Sequence, residues 1–248
     1  MMAENVLMSP ILYWEKIGGE SMRTAIGFSK LVPLSLIMLL GVAFSLPTFA
    51  GTQLWDFEEK HDDWKVANGN WEIKGGIYQV ERGGKAEHSL VGEEDWDDYT
   101  VEAKIRIDEH NWAGLVFRAQ SEHEYYVYYL NIPNNKSELW KHTKGAWDTR
   151  QAINSNIPAT KKVKIELEEW LDVKAVIEGE IFKFYINGEL QGEQKDNAYK
   201  TGKIGVWAWE TAASFDDVMI TGDNVIDTLA VDANDKLATT WGRLKQRF

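Results

Sequence analysis

Three runs near the C-terminal end decide the fold: Phe182-Lys-Phe-Tyr-Ile-Asn-Gly188, Gly202-Lys-Ile-Gly-Val-Trp-Ala-Trp209 and Ser214-Phe-Asp-Asp-Val-Met-Ile220. Each run is short and rich in β-branched and aromatic residues, which favour strands. The pair Asn187-Gly188 is a strong hairpin signal, because both residue types tolerate the positive φ that a tight turn requires. The runs therefore predict short antiparallel strands, the first of which turns back at Gly188.

Alternation of apolar and polar residues continues upstream of these runs. Along 99–107, every second residue from Tyr99 to Ile107 is apolar, and the residues between them are polar. The runs 163–167 and 171–177 have the same period of two, which is typical of strands with one buried face. Because no helical pattern separates the runs, the sequence predicts an all-β sandwich or barrel.

A family resemblance narrows this choice. The ordered segments Trp55-Asp-Phe-Glu58, Asp98–Ile107, Ala113–Ala119 and Tyr125–Leu130, together with the closing runs, cover about residues 52–222. This set resembles the concanavalin A-like jelly roll, and is most similar to its laminin-G-like or 3-keto-disaccharide hydrolase-like branch. The resemblance implies a two-sheet antiparallel jelly-roll sandwich. That branch contains both binding modules and glycan-degrading enzymes, so the resemblance leaves the activity open.

The first 50 residues have the pattern of an export signal. A positive segment starting at Met22 precedes the apolar run Leu31–Phe44, and Ala50 is a small residue suited to cleavage. The apolar run is shorter than the roughly 20 residues of a membrane-spanning helix, although an uncleaved anchor is the alternative. We expect Met22 rather than Met1 to be the start, and a secreted, periplasmic or cell-surface bacterial protein. The predicted parts are a signal region over 1–50, a jelly-roll domain over 51–222 and a tail over 223–248.

The composition argues against several classes of partner. The chain has 39 acidic and 27 basic residues, with a formal net charge of −12. Nucleic acids and anionic membrane surfaces would repel such a protein, so neither is expected as a partner. The chain contains no cysteine, which argues against a disulfide-built extracellular module. A neutral glycan or a bound cation is compatible with this charge.

Aromatic residues suggest what the domain binds. The chain has 12 tryptophans, and an indole offers a flat apolar plate with one donor, which suits the faces and rims of sugars. In the run 204–209, Ile204, Val206 and Ala208 suit the core, which places Trp207 and Trp209 together on the opposite face. The resemblance implies that the concave sheet face holds the ligand. The candidate ligand-binding residues are Arg118, Tyr126, Tyr128, Trp140, Trp207, Trp209 and Glu210.

Two of these predictions have structural alternatives. A lone buried guanidinium is prohibitively costly, so Arg118 must reach a ligand cleft, solvent or a neighbouring carboxylate. The resemblance also implies a structural Ca²⁺ on the convex side, with Glu58 and Asp217 at the matching positions. Calcium prefers several oxygen ligands, and the alternative is that these carboxylates pair with lysine or accept loop N–H groups. No organic cofactor is expected.

Catalytic patterns are weaker than binding patterns. Glycoside hydrolysis commonly uses two carboxylates across a cleft, and the acidic runs 95–98 and 166–169 lack the pattern of jelly-roll glucanases. A lyase or hydrolase that uses His110 or His123 with Tyr128 and Arg118 stays open. The expected function is lectin-like, non-catalytic recognition of a carbohydrate or glycoconjugate. The alternatives are a glycan hydrolase or lyase and an extracellular protein-interaction module, and the oligomeric state is not predicted.

Overall fold

A computed structural model describes residues 50–228, which contain fifteen strands and one short 3-10 helix, Ile132–Asn134. The strands are β1 (Gly51–Trp55), β2 (Lys65–Asn68), β3 (Trp71–Ile73), β4 (Tyr78–Val80), β5 (Glu87–Val91), β6 (Tyr99–Ile107), β7 (Trp112–Ala119), β8 (Tyr125–Asn131), β9 (Lys136–His142), β10 (Arg150–Pro158), β11 (Leu171–Glu178), β12 (Ile181–Ile186), β13 (Glu189–Lys195), β14 (Lys203–Trp209) and β15 (Ala213–Gly222).

The strands form two antiparallel sheets. Sheet A has the order β13-β12-β11-β6-β15-β4-β3, and β1 also pairs with β15, so that Gly51 lies opposite Gly222. Sheet B has the order β10-β9-β8-β7-β14-β5-β2. Each sheet combines runs of consecutive strands, such as β10-β9-β8-β7, with neighbours that are distant in sequence, such as β6 and β15 or β7 and β14. The distant pairs are the crossing connections of a sandwich. The predicted all-β, two-sheet antiparallel sandwich is confirmed.

The core lies between the two sheets and follows the period of two. In β6, the apolar residues from Tyr99 to Ile107 are buried, while the polar residues between them are partly exposed. In β14, Ile204, Val206 and Ala208 point into the same core. The predicted inward set of β14 is therefore confirmed.

One predicted strand is wrong. Residues 163–167 form no strand in the described structure, although Val163 and Ile165 are buried. This segment connects β10 of sheet B to β11 of sheet A, so it crosses the edge of the sandwich and cannot pair along either sheet. The Ile165 N–H donates instead to the side-chain oxygen of Asn135, at 2.9 Å.

The predicted hairpin at Asn187-Gly188 is confirmed. It joins β12 to β13, with φ of 50° at Asn187 and 77° at Gly188. The predicted signal region and most of the predicted tail lie outside the described residues. No helix between residues 50 and 228 is long and apolar enough to cross a membrane.

Candidate functional site

The face of sheet B that points away from sheet A carries a second apolar cluster, which we call the outer face. It includes Trp207 and Trp209 of β14 and Tyr125 and Tyr129 of β8, with Trp140 packed at its edge. Trp207 and Trp209 lie here because the alternation of β14 sends them opposite its core residues. The structure thus brings together three of the predicted ligand-binding residues: Trp140, Trp207 and Trp209.

Rings on the outer face are closely packed. Trp207 stacks on Tyr129, with ring centroids 5.1 Å apart and planes 12° apart, and lies 5.8 Å from Trp209. Tyr125 stacks on His142 at 4.4 Å, and His88 lies 4.8 Å from Tyr125 on its other side. The packing between rings holds both imidazoles in fixed positions among aromatic side chains.

Several buried polar atoms on this face have no partner. Nε2 of His88, Nε2 of His142, the Tyr125 hydroxyl and Nε1 of Trp207 form no hydrogen bond of normal geometry within residues 50–228, although the Trp207 side chain lies close enough to the Tyr125 hydroxyl to influence its pKa. Leaving such a group unpaired costs about 1–3 kcal/mol, and most buried polar groups in native proteins are paired. Their concentration on one face marks a place where water or a polar ligand would complete the hydrogen bonds.

The two histidines are held neutral. Burial lowers the pKa of His88 to about 4 and, together with the nearby Arg150 charge, lowers the pKa of His142 to about 3. Nδ1 of His88 lies 2.8 Å from the carbonyl oxygen of Ala86, so the neutral ring donates there and its Nε2 presents a lone pair. Burial also raises the pKa of Tyr125, which keeps its hydroxyl a donor. The outer face therefore offers both acceptors and donors.

The loop between β9 and β10, residues 143–149, closes one side of this face. Its Trp147 lies 4.2 Å from the ring of His123 and 5.7 Å from that of His88. Its Asp148 lies 3.6 Å from Nζ of Lys85, just before β5. In sheet B, three strands separate β9 from β5. The loop therefore reaches across part of the outer face, where Tyr125, His88 and His142 are at most 1% exposed.

Arg150 follows this loop as the first residue of β10. Its guanidinium carbon lies 3.9 Å from the ring centroid of Trp209 and 4.9 Å from that of Trp140, which is cation–π geometry. The nearby Glu138 is fully engaged, because it accepts from the Tyr129 hydroxyl at 3.0 Å and from Nε1 of Trp140 at 2.8 Å. Its other oxygen accepts from Nδ2 of Asn131 at 2.6 Å.

Tyr126 and Tyr128 do not lie on this face, contrary to the prediction. Both are buried between the sheets. The Tyr126 hydroxyl donates to Asp196, and the Tyr128 hydroxyl bonds to Oγ of Ser137 at 2.8 Å. Strand β8 has tyrosines at both odd and even positions, so its hydropathy pattern does not reveal which of its faces is buried between the sheets.

Arg118 also lies elsewhere. It is 2% exposed, and its guanidinium donates to the backbone carbonyls of Asp97 at 2.9 Å, Gly179 at 2.6 Å and Tyr199 at 3.3 Å. It lies 3.3 Å from the Asp98 carboxylate as well. Arg118 has a φ of 48°, which breaks the alternation of β7. Arg118 therefore has the structural role that the sequence offered as an alternative, in which it pairs with a neighbouring carboxylate. His123, Tyr128 and Arg118 do not come together in one site.

Glu210 lies directly after β14, next to Trp209. Its N–H donates to the carbonyl oxygen of Gly84 at 2.9 Å, and its own carbonyl accepts from Nδ2 of Asn111 at 3.0 Å. With a φ of 47°, Glu210 ends the strand through its backbone. This contact network gives Glu210 a turn-forming role at the end of the outer face.

The two residues of the predicted calcium site line different clefts. Glu58 lies in a cleft with Trp71 and Gly76, whereas Asp217 lies in another cleft, 3.1 Å from Nζ of Lys104. Between residues 50 and 228, no group of three or more histidine or acidic side chains could hold a metal ion. The calcium site stays a prediction, and the contact with Lys104 is the alternative that the sequence offered for Asp217.

The histidines and Arg150 were missed by sequence reasoning. His88, His142 and Arg150 belong to β5, β9 and β10, and no spacing in the sequence relates them. Only the pairing of the strands brings them together; Arg150, for example, lies opposite His142 in the register of β9 and β10.

Comparison with known proteins identifies the family. A levanase from Bacillus subtilis (strain 168) is 23% identical over 159 residues, which are 62% of this chain and 22% of the levanase. The chain thus spans about a fifth of the length of that relative. The profile of the 3-keto-α-glucoside-1,2-lyase-like domain family matches residues 48–221.

Solved structures show the same fold. The carbohydrate binding module CBM66 from Bacillus subtilis superposes with a TM-score of 0.55 at 22% identity, covering 63% of this chain and 93% of the module. A GH43 protein from Bacillus licheniformis gives a TM-score of 0.51 at 18% identity, covering 68% of this chain and 39% of that protein. The jelly-roll prediction is confirmed, and the match over residues 48–221 means that this chain belongs to the 3-keto-α-glucoside-1,2-lyase-like domain family.

Proposed function

We propose that this protein binds a carbohydrate on the outer face of sheet B without cleaving it. The observation that carries the proposal is the set of buried polar atoms without partners, held among aromatic rings. Sugars present apolar C–H faces together with hydroxyl groups that both donate and accept. Indole and phenol rings suit the first, and Nε2 of His88 and the Tyr125 hydroxyl suit the second.

The similar proteins support a carbohydrate as the ligand. One is named as a carbohydrate binding module and another as a levanase. Both names concern glycans, although neither identifies the sugar for this chain. A carbohydrate ligand also agrees with the net charge of −12, which disfavours nucleic acid as a partner.

The architecture suits binding at low ordering cost. The candidate histidines, tyrosines and tryptophans come from β5, β8, β9 and β14, each of which is paired with a strand on both sides in sheet B. Side chains on paired strands are already fixed before the ligand arrives. Little conformational freedom is then lost on binding, and more of the contact energy is retained as affinity.

A matched pair of variants tests the proposal. Tyr125→Phe removes a hydroxyl from the outer face, and Tyr128→Phe removes one from the inner face of the same strand. The full chain and both variants would be applied to a glycan array, and hits would be measured by calorimetry. We expect Tyr125→Phe to weaken binding about tenfold, the value of one lost hydrogen bond of about 1.4 kcal/mol, and Tyr128→Phe to leave it unchanged. Equal affinities for all three proteins would contradict the assignment of the face.

A second candidate function is cleavage of the bound glycan. It is favoured by His88 and His142, two neutral imidazoles with unpaired Nε2 atoms on either side of Tyr125. A neutral imidazole in a closed site can accept a proton from a substrate. Mass spectrometry of array hits after hours of incubation distinguishes the two functions. A shortened glycan with the wild type but not with His142→Gln would replace the binding proposal with an enzymatic one.

A further inference from the structure

The four arginines between residues 50 and 228 differ in one respect. Arg82 lies 3.4 Å from Glu109, Arg106 pairs with Asp108, and Arg118 lies 3.3 Å from Asp98. The guanidinium of Arg150 forms no ion pair and no hydrogen bond with any residue in that range, and it contacts the rings of Trp140 and Trp209. Arg150 is therefore the one arginine between residues 50 and 228 whose guanidinium contacts no carboxylate.

The acidic side chains around Arg150 are engaged elsewhere. Glu138 accepts hydrogen bonds from Tyr129, Trp140 and Asn131, and it lies 3.2 Å from Nζ of Lys136. Asp148, two residues before Arg150, faces Lys85. The positive charge at this edge of the outer face is therefore not neutralised by a described neighbour.

The same charge lies beside the unpaired polar atoms. Arg150 is opposite His142 in the register of β9 and β10. Its charge contributes to lowering the pKa of His142 and opposes the rise in the pKa of Tyr125 that burial causes. A ligand that reaches Tyr125 and His142 would also reach the guanidinium.

From this arrangement we propose that the bound glycan carries a carboxylate, as a uronic acid does, and that Arg150 pairs with it. The inference rests on the proposed function, because it names the chemical class of the ligand for the same face. A guanidinium is planar and donates two parallel N–H groups, which match the two oxygens of a carboxylate. Packing against Trp209 and Trp140 would hold that fork in place, so that less side-chain freedom is lost on binding.

The experiment compares acidic and neutral forms of the same sugars. An array of uronic acid oligosaccharides would be printed beside their methyl esters and carboxyl-reduced forms, with sulfated neutral glycans as a further arm. The full-length protein would be tested as wild type, Arg150→Gln, Arg150→Lys and Arg82→Gln. Arg82→Gln is the matched control, because it removes an arginine whose partner Glu109 lies outside this face.

We expect the wild type to bind a uronate at least about tenfold more tightly than its methyl ester, as a charge-assisted hydrogen bond allows. Arg150→Gln should abolish that preference, and Arg82→Gln should retain it. Arg150→Lys should retain part of it, since lysine keeps the charge but not the fork. An unchanged melting temperature of Arg150→Gln would show that the loss is not unfolding.

The opposite results separate this inference from the proposed function. Equal binding of acid and ester, unaffected by Arg150→Gln, would overturn the carboxylate and leave carbohydrate binding intact. A preference for sulfated over uronate glycans would also overturn it, because the anion would then be a sulfate. Binding of no glycan in any arm would overturn both proposals.

Discussion

Strand β8 presents tyrosines to both faces of sheet B, and their surroundings differ. Tyr126 and Tyr128 point into the sandwich, while Tyr125 and Tyr129 lie on the outer face, and all four are at most 5% exposed. Both inner hydroxyls have protein partners, whereas the Tyr125 hydroxyl has none within residues 50–228. The Tyr129 hydroxyl on the outer face donates to Glu138, so the contrast is carried by Tyr125 and not by every residue of that face. Burial alone therefore does not distinguish the core from the outer face.

The largest expected difference between the faces follows from deleting a ring. Phe184 is fully buried and stacks on Tyr128 at 4.0 Å, so Phe184→Ala should lower the free energy of unfolding by about 3–5 kcal/mol. Trp209→Ala should cost less stability but abolish glycan binding. Urea denaturation and calorimetry of both variants measure this. If Trp209→Ala retained binding and lost as much stability as Phe184→Ala, the outer face would be a second hydrophobic core and not a binding surface.

Acid should act on the outer face through its histidines. The pKa of His142 is lowered to about 3 in the folded state, below its unfolded value of about 6.5. Between these values the unfolded chain binds the extra proton, so stability falls as the pH falls through this window, by about 1.4 kcal/mol per pH unit. His142→Gln should lose this contribution, as urea denaturation at a series of pH values would show.

The control for this series is His110→Gln, since His110 is exposed. It should reproduce the wild-type dependence of stability on pH. If His142→Gln has the same dependence as His110→Gln, then His142 is not held neutral by the outer face.

A smaller difference is expected from single hydroxyls. Tyr128→Phe leaves Oγ of Ser137 without its partner, so unfolding free energy should fall by about 1–2 kcal/mol. Tyr125→Phe removes a hydroxyl that forms no hydrogen bond of normal geometry within residues 50–228, and stability should be unchanged or slightly higher. Urea denaturation resolves such differences. An equal loss in both variants would mean that the Tyr125 hydroxyl is satisfied in solution by a group that belongs to the protein.

The smallest effect is expected where the 143–149 loop contacts Lys85. Lys85 and Asp148 are about half exposed, at 51% and 49%, and lie 3.6 Å apart. An exposed ion pair of this kind contributes about 0–1 kcal/mol. Lys85→Ala should therefore change stability by less than about 1 kcal/mol while increasing the rate of glycan dissociation, which surface plasmon resonance would measure. A larger stability loss would show that the 143–149 loop belongs to the folded core.

The sequence predicted the fold and only part of the site, for identifiable reasons. In β14, aliphatic residues alternate with tryptophans, so the assignment of Trp207 and Trp209 to one face was correct. In β8, tyrosines occupy both odd and even positions, so the pattern could not assign Tyr126 and Tyr128 to one face of the strand. In β7, the positive φ at Arg118 interrupts the alternation, and no residue type there signals it. Arg150 and the histidines depend on contacts between distant strands, which local patterns do not encode.

The pairing of β1 with β15 places the two ends of the sandwich side by side. Gly51 lies opposite Gly222 in sheet A, so their Cα atoms are about 5 Å apart, as in any antiparallel pair. Domains with adjacent ends tolerate insertion into a loop of another protein, because the host chain enters and leaves at one place. If the domain were inserted in this way, its junctions with the host protein would lie in sheet A. All seven strands of sheet B, with the proposed glycan site, would remain uninterrupted.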